Sequence, residues 1–150
     1  MKPLPTGPED AAWLARAAKK TALFSGLELS MIERALARFR LYAADSGEKI
    51  IKEGTGETAL YFLYTGGVRV SRAKLLFLRQ SMGELKPGDF FGEMALLVNG
   101  STRTATVTAA EPSKVFALAG GDFQELLRSN PEFRNHMTRV ANERKAKTAG

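Results

Sequence analysis

Glycines divide the middle of this chain, from Arg40 to Leu118, into short runs that look like β-strands. The predicted strands are Arg40–Ala43, Lys49–Lys52, Leu60–Tyr64, Val68–Arg72, Leu75–Arg79, Thr104–Ala109 and Val115–Leu118. Glycine supplies the backbone conformations that tight turns need. Short strands at this spacing therefore predict a sandwich or barrel rather than alternating strands and helices. The pair Gly66–Gly67 lies between two of the runs and predicts a hairpin.

Helical patterns precede the predicted barrel. Thr6 and Glu9 have the spacing of a capping box, and Pro8 stands in the first turn, where a missing N–H costs little. A second helix is predicted to start at Ser30, with Glu33 as its capping partner. Its apolar residues recur at helical spacing and predict one buried stripe. They are Leu29, Ile32, Leu36 and Phe39.

Helical patterns also follow the predicted barrel. Asp122 is predicted to cap a short helix that ends at Leu127, and Asn130 to cap the last helix, with Pro131 at its first position. The last helix carries an apolar stripe of Phe133, Met137 and Val140. The chain has 150 residues, the usual size of one domain. We therefore predict an α+β, mainly β, fold in a single domain spanning residues 1–150.

Composition excludes several classes of site. The chain has no cysteine, which rules out disulfides, thiolate-bound metals, iron–sulfur clusters and thiol nucleophiles. It has one histidine, His136, so a metal site with two or three histidines cannot form within one chain. No nucleophile–base pair is evident. We therefore predict no metal, no cofactor and no enzymatic activity.

Charge and hydropathy bear on partners and location. The formal net charge of +6 suits an anionic ligand or partner. No DNA-recognition helix follows the last helical pattern, so nucleic-acid binding is not predicted. The N-terminus lacks the apolar core of a secretory signal, and no run of about 18 apolar residues occurs. These features predict no membrane segment and a cytoplasmic location.

The segment Pro87–Val107 carries the most chemical information. Glu93–Leu97 can form one helical turn, whose N-terminus suits an anion. Arg103 follows, and a guanidinium matches a phosphate. A carboxylate such as Glu93 needs neutral donors beside an anion, and ribose hydroxyls are such donors. Taken alone, Glu93 and Arg103 would be interpreted as a structural ion pair; together with the helical turn they suit a phosphorylated sugar.

This segment resembles a known family. Phe91–Leu97 followed by Arg103–Val107 is similar to the phosphate-binding cassette of cyclic nucleotide-binding domains, of the catabolite-activator-like kind. Gly47–Gly54 and Leu60–Leu63 match the family's glycine-punctuated strands, and the likeness covers about residues 22–145. It implies a jelly-roll β-roll at about 40–119, with the cassette at 91–107. It also implies N-terminal helices at about 8–39 and C-terminal lid helices at about 122–147.

The resemblance implies a role for each cassette residue. Arg103 would pair with the exocyclic phosphate, and Glu93 would accept from the ribose 2′-OH. Gly92 would permit the close approach, and the N–H groups of Met94 and Ala95 would meet phosphate or ribose oxygens. The complete implied set is Phe91, Gly92, Glu93, Met94, Ala95, Arg103, Thr104 and Ala105.

The choice of purine and the lid are less constrained. Thr104 would lie beside phosphate and base, and a hydroxyl there occurs in binders of either nucleotide, so it leaves the purine open. Of the two ligands we expect cAMP ahead of cGMP. Arg144 falls on the stripe of the last helix, where it could stack on the base, with Val140 beside it. A solvated charge is the alternative interpretation of Arg144.

Members of this family usually control a part attached to them, but little sequence lies outside the matched region here, so we expect a free-standing sensor without a DNA-binding or channel part. We expect ligand binding to re-dock the terminal helices and so to act on a protein effector. Two alternatives stay open: an interaction scaffold with a degenerate nucleotide site, and a fragment of a larger channel or regulator. The sequence leaves the oligomeric state undetermined.

Overall fold

The structure, a computed structural model, describes residues 1–21, 24, 27–54, 59–75, 78–92 and 105–148. These residues form nine strands and four helices. The strands are β1 (Lys2–Leu4), β2 (Arg40–Ala44), β3 (Lys49–Ile51), β4 (Ala59–Thr65), β5 (Val68–Leu75), β6 (Leu78–Leu85), β7 (Phe90–Phe91), β8 (Thr106–Ala109) and β9 (Ser113–Ala119). The helices are α1 (Pro8–Lys20), α2 (Leu29–Leu36), α3 (Gly120–Ser129) and α4 (Pro131–Thr148).

The strands form two antiparallel sheets. One has five strands in the order β1-β2-β9-β4-β7, and the other has four in the order β3-β8-β5-β6. Helices α1 and α2 lie between β1 and β2 along the chain, and α3 and α4 follow β9. The predicted α+β, mainly β, β-roll flanked by helices is confirmed.

Two apolar clusters hold these layers together, and β4 contributes to both. Leu60 and Phe62 pack with the four helices on the outer face of the five-stranded sheet. Tyr61 and Leu63 point the other way, into the core between the sheets. Because successive side chains of a strand alternate between its two faces, β4 is buried on both faces. We call the first group the helix cluster and the second the inter-sheet core.

The apolar stripe predicted for the last helix is confirmed. Phe133, Met137 and Val140 are buried in the helix cluster. The Phe133 ring lies 6.4 Å from that of Phe24 and 5.8 Å from that of Phe123, measured between centroids. The predicted cap is also confirmed, since Asn130 Oδ1 accepts a hydrogen bond of 3.1 Å from the Phe133 N–H. The last helix is therefore docked on the outer face of the five-stranded sheet.

The other predicted helix starts need correction. The cap of α1 is Gly7, whose N–H donates to Asp10 Oδ2 at 2.8 Å, so the box predicted for Thr6 and Glu9 is shifted by one residue. Helix α2 begins at Leu29 rather than Ser30, and its cap residue makes no side-chain hydrogen bond. Helix α3 begins at Gly120, which places Asp122 inside its first turn.

The buried stripe of α2 also differs from the prediction. Of the predicted residues, Ile32 and Phe39 are buried and Leu36 packs against the helix cluster, but Leu29 is 55% exposed. Met31 and Ala35, which were not predicted, are buried as well. Helical spacing alone admits both neighbouring faces, since residues three and four apart occur on each of them.

The hairpin predicted at Gly66–Gly67 is wrong. Strand β4 pairs with β9 and β7, and β5 pairs with β6 and β8, so the two glycines carry the chain from one sheet to the other. The hairpin joins β5 to β6 instead, so the strand predicted at Leu75–Arg79 spans its turn. Strand β6 is almost wholly exposed and lacks the apolar alternation that identifies a strand.

Helix α1 is held on the sheet by a polar contact beside an aromatic one. The Tyr64 hydroxyl donates to Asp10 Oδ1 at 2.7 Å, and the Trp13 ring lies 4.6 Å from the Tyr64 ring. The Tyr64 hydroxyl, and then the Gly7 N–H, lower the pKa of Asp10, while the same hydrogen bond raises the pKa of Tyr64. This contact therefore favours an ionised Asp10 beside a protonated Tyr64.

We expect Asp10→Asn to lower the free energy of unfolding at pH 7. A carboxylate whose pKa is lowered by folding stabilises above its ordinary pKa, and loses that contribution as the pH falls through the lowered value. The difference from the unsubstituted chain should therefore shrink between pH 7 and pH ~3. Urea unfolding of the variant and of the unsubstituted chain at both pH values measures this difference in the free energy of unfolding. Glu9→Gln, in the same helical turn, is the control; an equal pH dependence in both variants would contradict the assignment.

Candidate functional site

The predicted cassette joins the two sheets. Its first described residues lie in β7, at one edge of the five-stranded sheet, and its last in β8, inside the four-stranded sheet. The cassette positions Glu93, Met94, Ala95, Arg103 and Thr104 lie outside the described residues. Its two described ends lie in different sheets, and Phe91 and Val107 both belong to the inter-sheet core.

The start of the cassette is anchored by aromatic packing. Phe91 is 4% exposed, and its ring stacks on that of Tyr61 at 5.1 Å between centroids. Tyr61 is its direct partner in the pairing of β4 with β7. The sequence prediction did not single out Tyr61, because a strand buried on both faces has no pattern that marks the side facing the inter-sheet core. Only the register of β7 on β4 identifies it.

Gly92 has the backbone conformation that the cassette prediction requires of a glycine. Its φ is +92°, a region that side chains other than glycine rarely adopt. The chain therefore turns sharply directly after the buried Phe91. This geometry explains the need for glycine here, and the close approach of a ligand to it stays a prediction.

The turn before β7 is fastened to the same central strand. Pro87 and Gly88 form its middle, and the Asp89 N–H donates to the Lys86 carbonyl at 3.0 Å. The Gly88 N–H donates to the Leu63 carbonyl, and the Leu63 N–H donates to the Asp89 carbonyl, both at 2.9 Å. The Pro-Gly turn predicted from the sequence thus positions β7, and with it the start of the cassette.

The end of the cassette is tied to the opposite sheet. Ala105 is half-buried and precedes β8. Thr106 is buried, and its Oγ1 accepts a hydrogen bond of 3.1 Å from the Glu53 N–H. The Glu53 carboxylate in turn accepts from the Ala73 N–H at 3.1 Å. These bonds connect the first residue of β8 to the turn after β3 and to β5.

The predicted lid residues lie in α4. Val140 is buried with Phe133 and Met137 in the helix cluster. Arg144 belongs to the same helix, and its side chain lies outside the described part of the structure. Their contacts with a base stay predictions.

An ion pair links the N-terminal helices to the C-terminal ones. Arg38, which follows α2, lies 2.9 Å from a carboxylate oxygen of Glu125 and 3.6 Å from one of Asp122, both in α3. Its guanidinium lowers the pKa of Glu125. All three groups are partly exposed to solvent, so the pair orients the helices more than it stabilises them.

Comparison with known proteins identifies the family. The profile of the cyclic nucleotide-binding domain matches residues 43–130, more than half of the chain. The chain belongs to the cyclic nucleotide-binding domain family. The matched region runs from β2 into the end of α3 and includes the whole cassette.

Relatives of the domain come from different classes of protein. The cyclic AMP receptor protein of Thermus thermophilus is 34% identical over 113 residues, which is 75% of this chain and 52% of that protein. A cyclic nucleotide-gated potassium channel of Mesorhizobium japonicum is 32% identical over 127 residues, 85% of this chain and 34% of the channel. The chain thus spans about half of the first relative and a third of the second.

Solved structures show the same fold. The crystal structure of the Thermus thermophilus catabolite activator protein superposes with a TM-score of 0.73 at 30% identity, covering 86% of this chain and 60% of that one.

Two kinds of feature are absent from the described residues. No group of three or more acidic or histidine side chains there could hold a metal. No helix in the described part of the chain is long and apolar enough to cross a membrane.

Proposed function

We propose that this domain binds cAMP in preference to cGMP and transmits the binding event through its terminal helices to a protein effector in the cytoplasm. The observation that carries the proposal is the cassette sequence, with Glu93 and Arg103 both present, in a segment that joins β7 to β8. Phe91 and Val107, at the two ends of the cassette, are buried in the inter-sheet core, which supports a ligand with an apolar face. The name of the Thermus relative supports cAMP.

In the proposed binding mode, different cassette residues contact the phosphate and the ribose. Arg103 would hold the cyclic phosphate through its guanidinium, since paired N–H groups match phosphate oxygens. Glu93 would accept a hydrogen bond from the ribose, because a carboxylate needs a donor beside an anion. The N–H groups of Met94 and Ala95, at the start of the helical turn, would complete the phosphate site. Phe91 and Ala105 would hold the two ends of the cassette in place.

A row of aromatic rings leads from the cassette to the last helix. The ring of Phe90, the residue directly before the cassette, lies 6.0 Å from that of Phe62 between centroids. Phe62 lies 6.1 Å from Phe24, and Phe24 lies 6.4 Å from Phe133 in α4. Closely packed side chains pass on a displacement because they cannot be compressed. A shift of β7 on ligand binding would therefore reach α4, which supports signalling by re-docked helices.

Titration with three nucleotides tests the proposed ligand. We expect cAMP to bind more tightly than cGMP, and 5′-AMP to bind weakly, because its open phosphate has a different shape and charge. At a hundred times its dissociation constant a ligand stabilises the folded state by about 2.7 kcal/mol, which for a domain of this size raises the melting temperature by about 5–10 °C. Calorimetry and thermal melts measure both quantities. If neither cyclic nucleotide binds, the scaffold alternative with a degenerate site replaces this proposal.

Hydrogen exchange tests the proposed signalling. We expect cAMP to change the protection of the α4 amides at 131–148, since the ligand shifts the equilibrium between two packings of that helix. The amides of β9, in the middle of the five-stranded sheet, serve as the internal control. Equal protection of α4 with and without bound cAMP would show that the ligand does not act through this helix.

The proposal is for a binding role rather than a catalytic one. The family and the relatives above are named for cyclic nucleotide binding or gating. The sequence offers no nucleophile–base pair to attack the cyclic phosphate. Bound cAMP should therefore be recovered intact.

A further inference from the structure

A groove of about 700 Å³ separates α1 from the turn before β7. It lies on the helix side of the five-stranded sheet: Phe90 lines it, whereas its neighbour Phe91 points into the inter-sheet core. The groove and the inter-sheet core beside the cassette are therefore on opposite sides of β7.

One wall of the groove is cationic. Arg16 and Lys20 are four residues apart and so share one face of α1. Both are exposed, and neither makes a hydrogen bond or ion pair with another residue that the structure describes. The single acid of the lining, Asp89, is engaged in the turn, since its Oδ2 accepts from the Lys86 N–H at 2.9 Å. The three charged side chains of the lining leave a net charge of +1 for a monoanion to balance.

The floor of the groove is apolar. It is formed by Trp13, Ala17, Leu85, Pro87 and Phe90. Sites for small molecules typically have volumes of about 300–1,000 Å³ and combine an apolar lining with a few polar groups. The groove has both properties, and two of its three charged side chains are cations.

We propose that this groove is a second ligand site, which binds a small amphipathic carboxylate. The apolar body would lie on Trp13 and Phe90, and the carboxylate would meet the guanidinium of Arg16, with Lys20 nearby. A guanidinium matches a carboxylate through paired N–H groups, whereas an ammonium acts as a point charge. The proposal uses none of the cassette residues and does not depend on cyclic nucleotide binding.

The chain carries its own reporter for this site. Trp13 is its only tryptophan, so the tryptophan fluorescence arises entirely from the floor of the groove. Titration of the full chain with 3-phenylpropanoate, and separately with decanoate, should give a saturable change in that fluorescence. The neutral 3-phenylpropanamide should bind about tenfold more weakly, because it lacks the charge that Arg16 and Lys20 recognise.

Substitutions test whether carboxylate binding depends on the groove residues rather than on other parts of the domain. Arg16→Gln combined with Lys20→Gln should weaken 3-phenylpropanoate about tenfold, and Lys19→Gln, exposed on the same helix but outside the lining, should not. Ala17→Leu should weaken decanoate by narrowing the floor without changing the charge. Arg103→Ala should leave the carboxylates bound, so failure of this proposal is distinguishable from failure of cyclic nucleotide binding. Absence of saturation, equal binding of acid and amide, or unchanged binding in the double variant would overturn it.

Discussion

Arg103→Ala is expected to remove most of the affinity for cAMP. The guanidinium is the only cationic side chain that the cassette sequence 91–107 supplies. Loss of a charge-assisted, bidentate contact leaves the cyclic phosphate without its counter-charge in a partly desolvated site, which costs about 3–5 kcal/mol. The dissociation constant should rise by a factor of about 100 or more. Calorimetric titration measures the change directly.

Two further variants make this result specific to the site. Arg103→Lys keeps the positive charge but not the paired N–H groups. Its affinity for cAMP should therefore lie between that of the unsubstituted domain and that of Arg103→Ala. Arg34→Ala removes an exposed arginine of α2 and should leave the affinity unchanged. If Arg103→Ala bound cAMP as tightly as the unsubstituted domain, the cassette roles implied by the family resemblance would not hold for this chain.

Gly66→Ala is expected to destabilise the fold severely. At this crossing between the sheets φ is +92°, and an added Cβ would lie 2.7 Å from the Pro112 carbonyl oxygen and 2.8 Å from the Ser113 Cα. Both are backbone atoms, held by the Ala110 N–H, which donates to the Gly67 carbonyl at 2.9 Å, and by the first residues of β9. The backbone must move, so we expect the free energy of unfolding to fall by about 4 kcal/mol or more.

Gly47→Ala is the matched control for this prediction. Its φ is +86°, close to that of Gly66, but no atom lies within 4 Å of the added Cβ. It should therefore show only the conformational cost of about 1–2 kcal/mol. Urea unfolding of the two variants separates backbone strain from steric exclusion. Equal losses in both would mean that the contact with Pro112 and Ser113 relaxes easily.

Local chemistry allowed several features to be predicted from the sequence. Asn130 followed by Pro131 favours a helix start, because the Asn side chain accepts from a first-turn N–H and the Pro ring needs no partner there. The turn at Pro87–Gly88 forms for a similar reason. The cassette residues could be proposed because their order and spacing are a property of the chain. The family profile confirms the resemblance, and the individual roles of the residues stay predictions.

Long-range pairing decided the remaining features. The role of Gly66 could not be read locally, because two glycines between strands permit a hairpin or a crossing equally well, and only the pairing of β4 with β9 selects the crossing. Strand β6 was misplaced because an exposed edge strand needs no apolar pattern. The buried stripe of α2 was partly misassigned because its docking angle depends on side chains distant in sequence.

The sequence by itself thus determined the class of fold, the turn at Pro87–Gly88, the helix cap at Asn130 and the family to which the cassette belongs. Each of these depends on interactions within a few residues, or on an ordered motif. The tertiary structure alone decided which strands pair, that Tyr61 packs on Phe91, and that Phe90 and Trp13 line one groove together with Arg16 and Lys20. These features depend on residues far apart along the chain, and such residues meet only when both apolar clusters are packed.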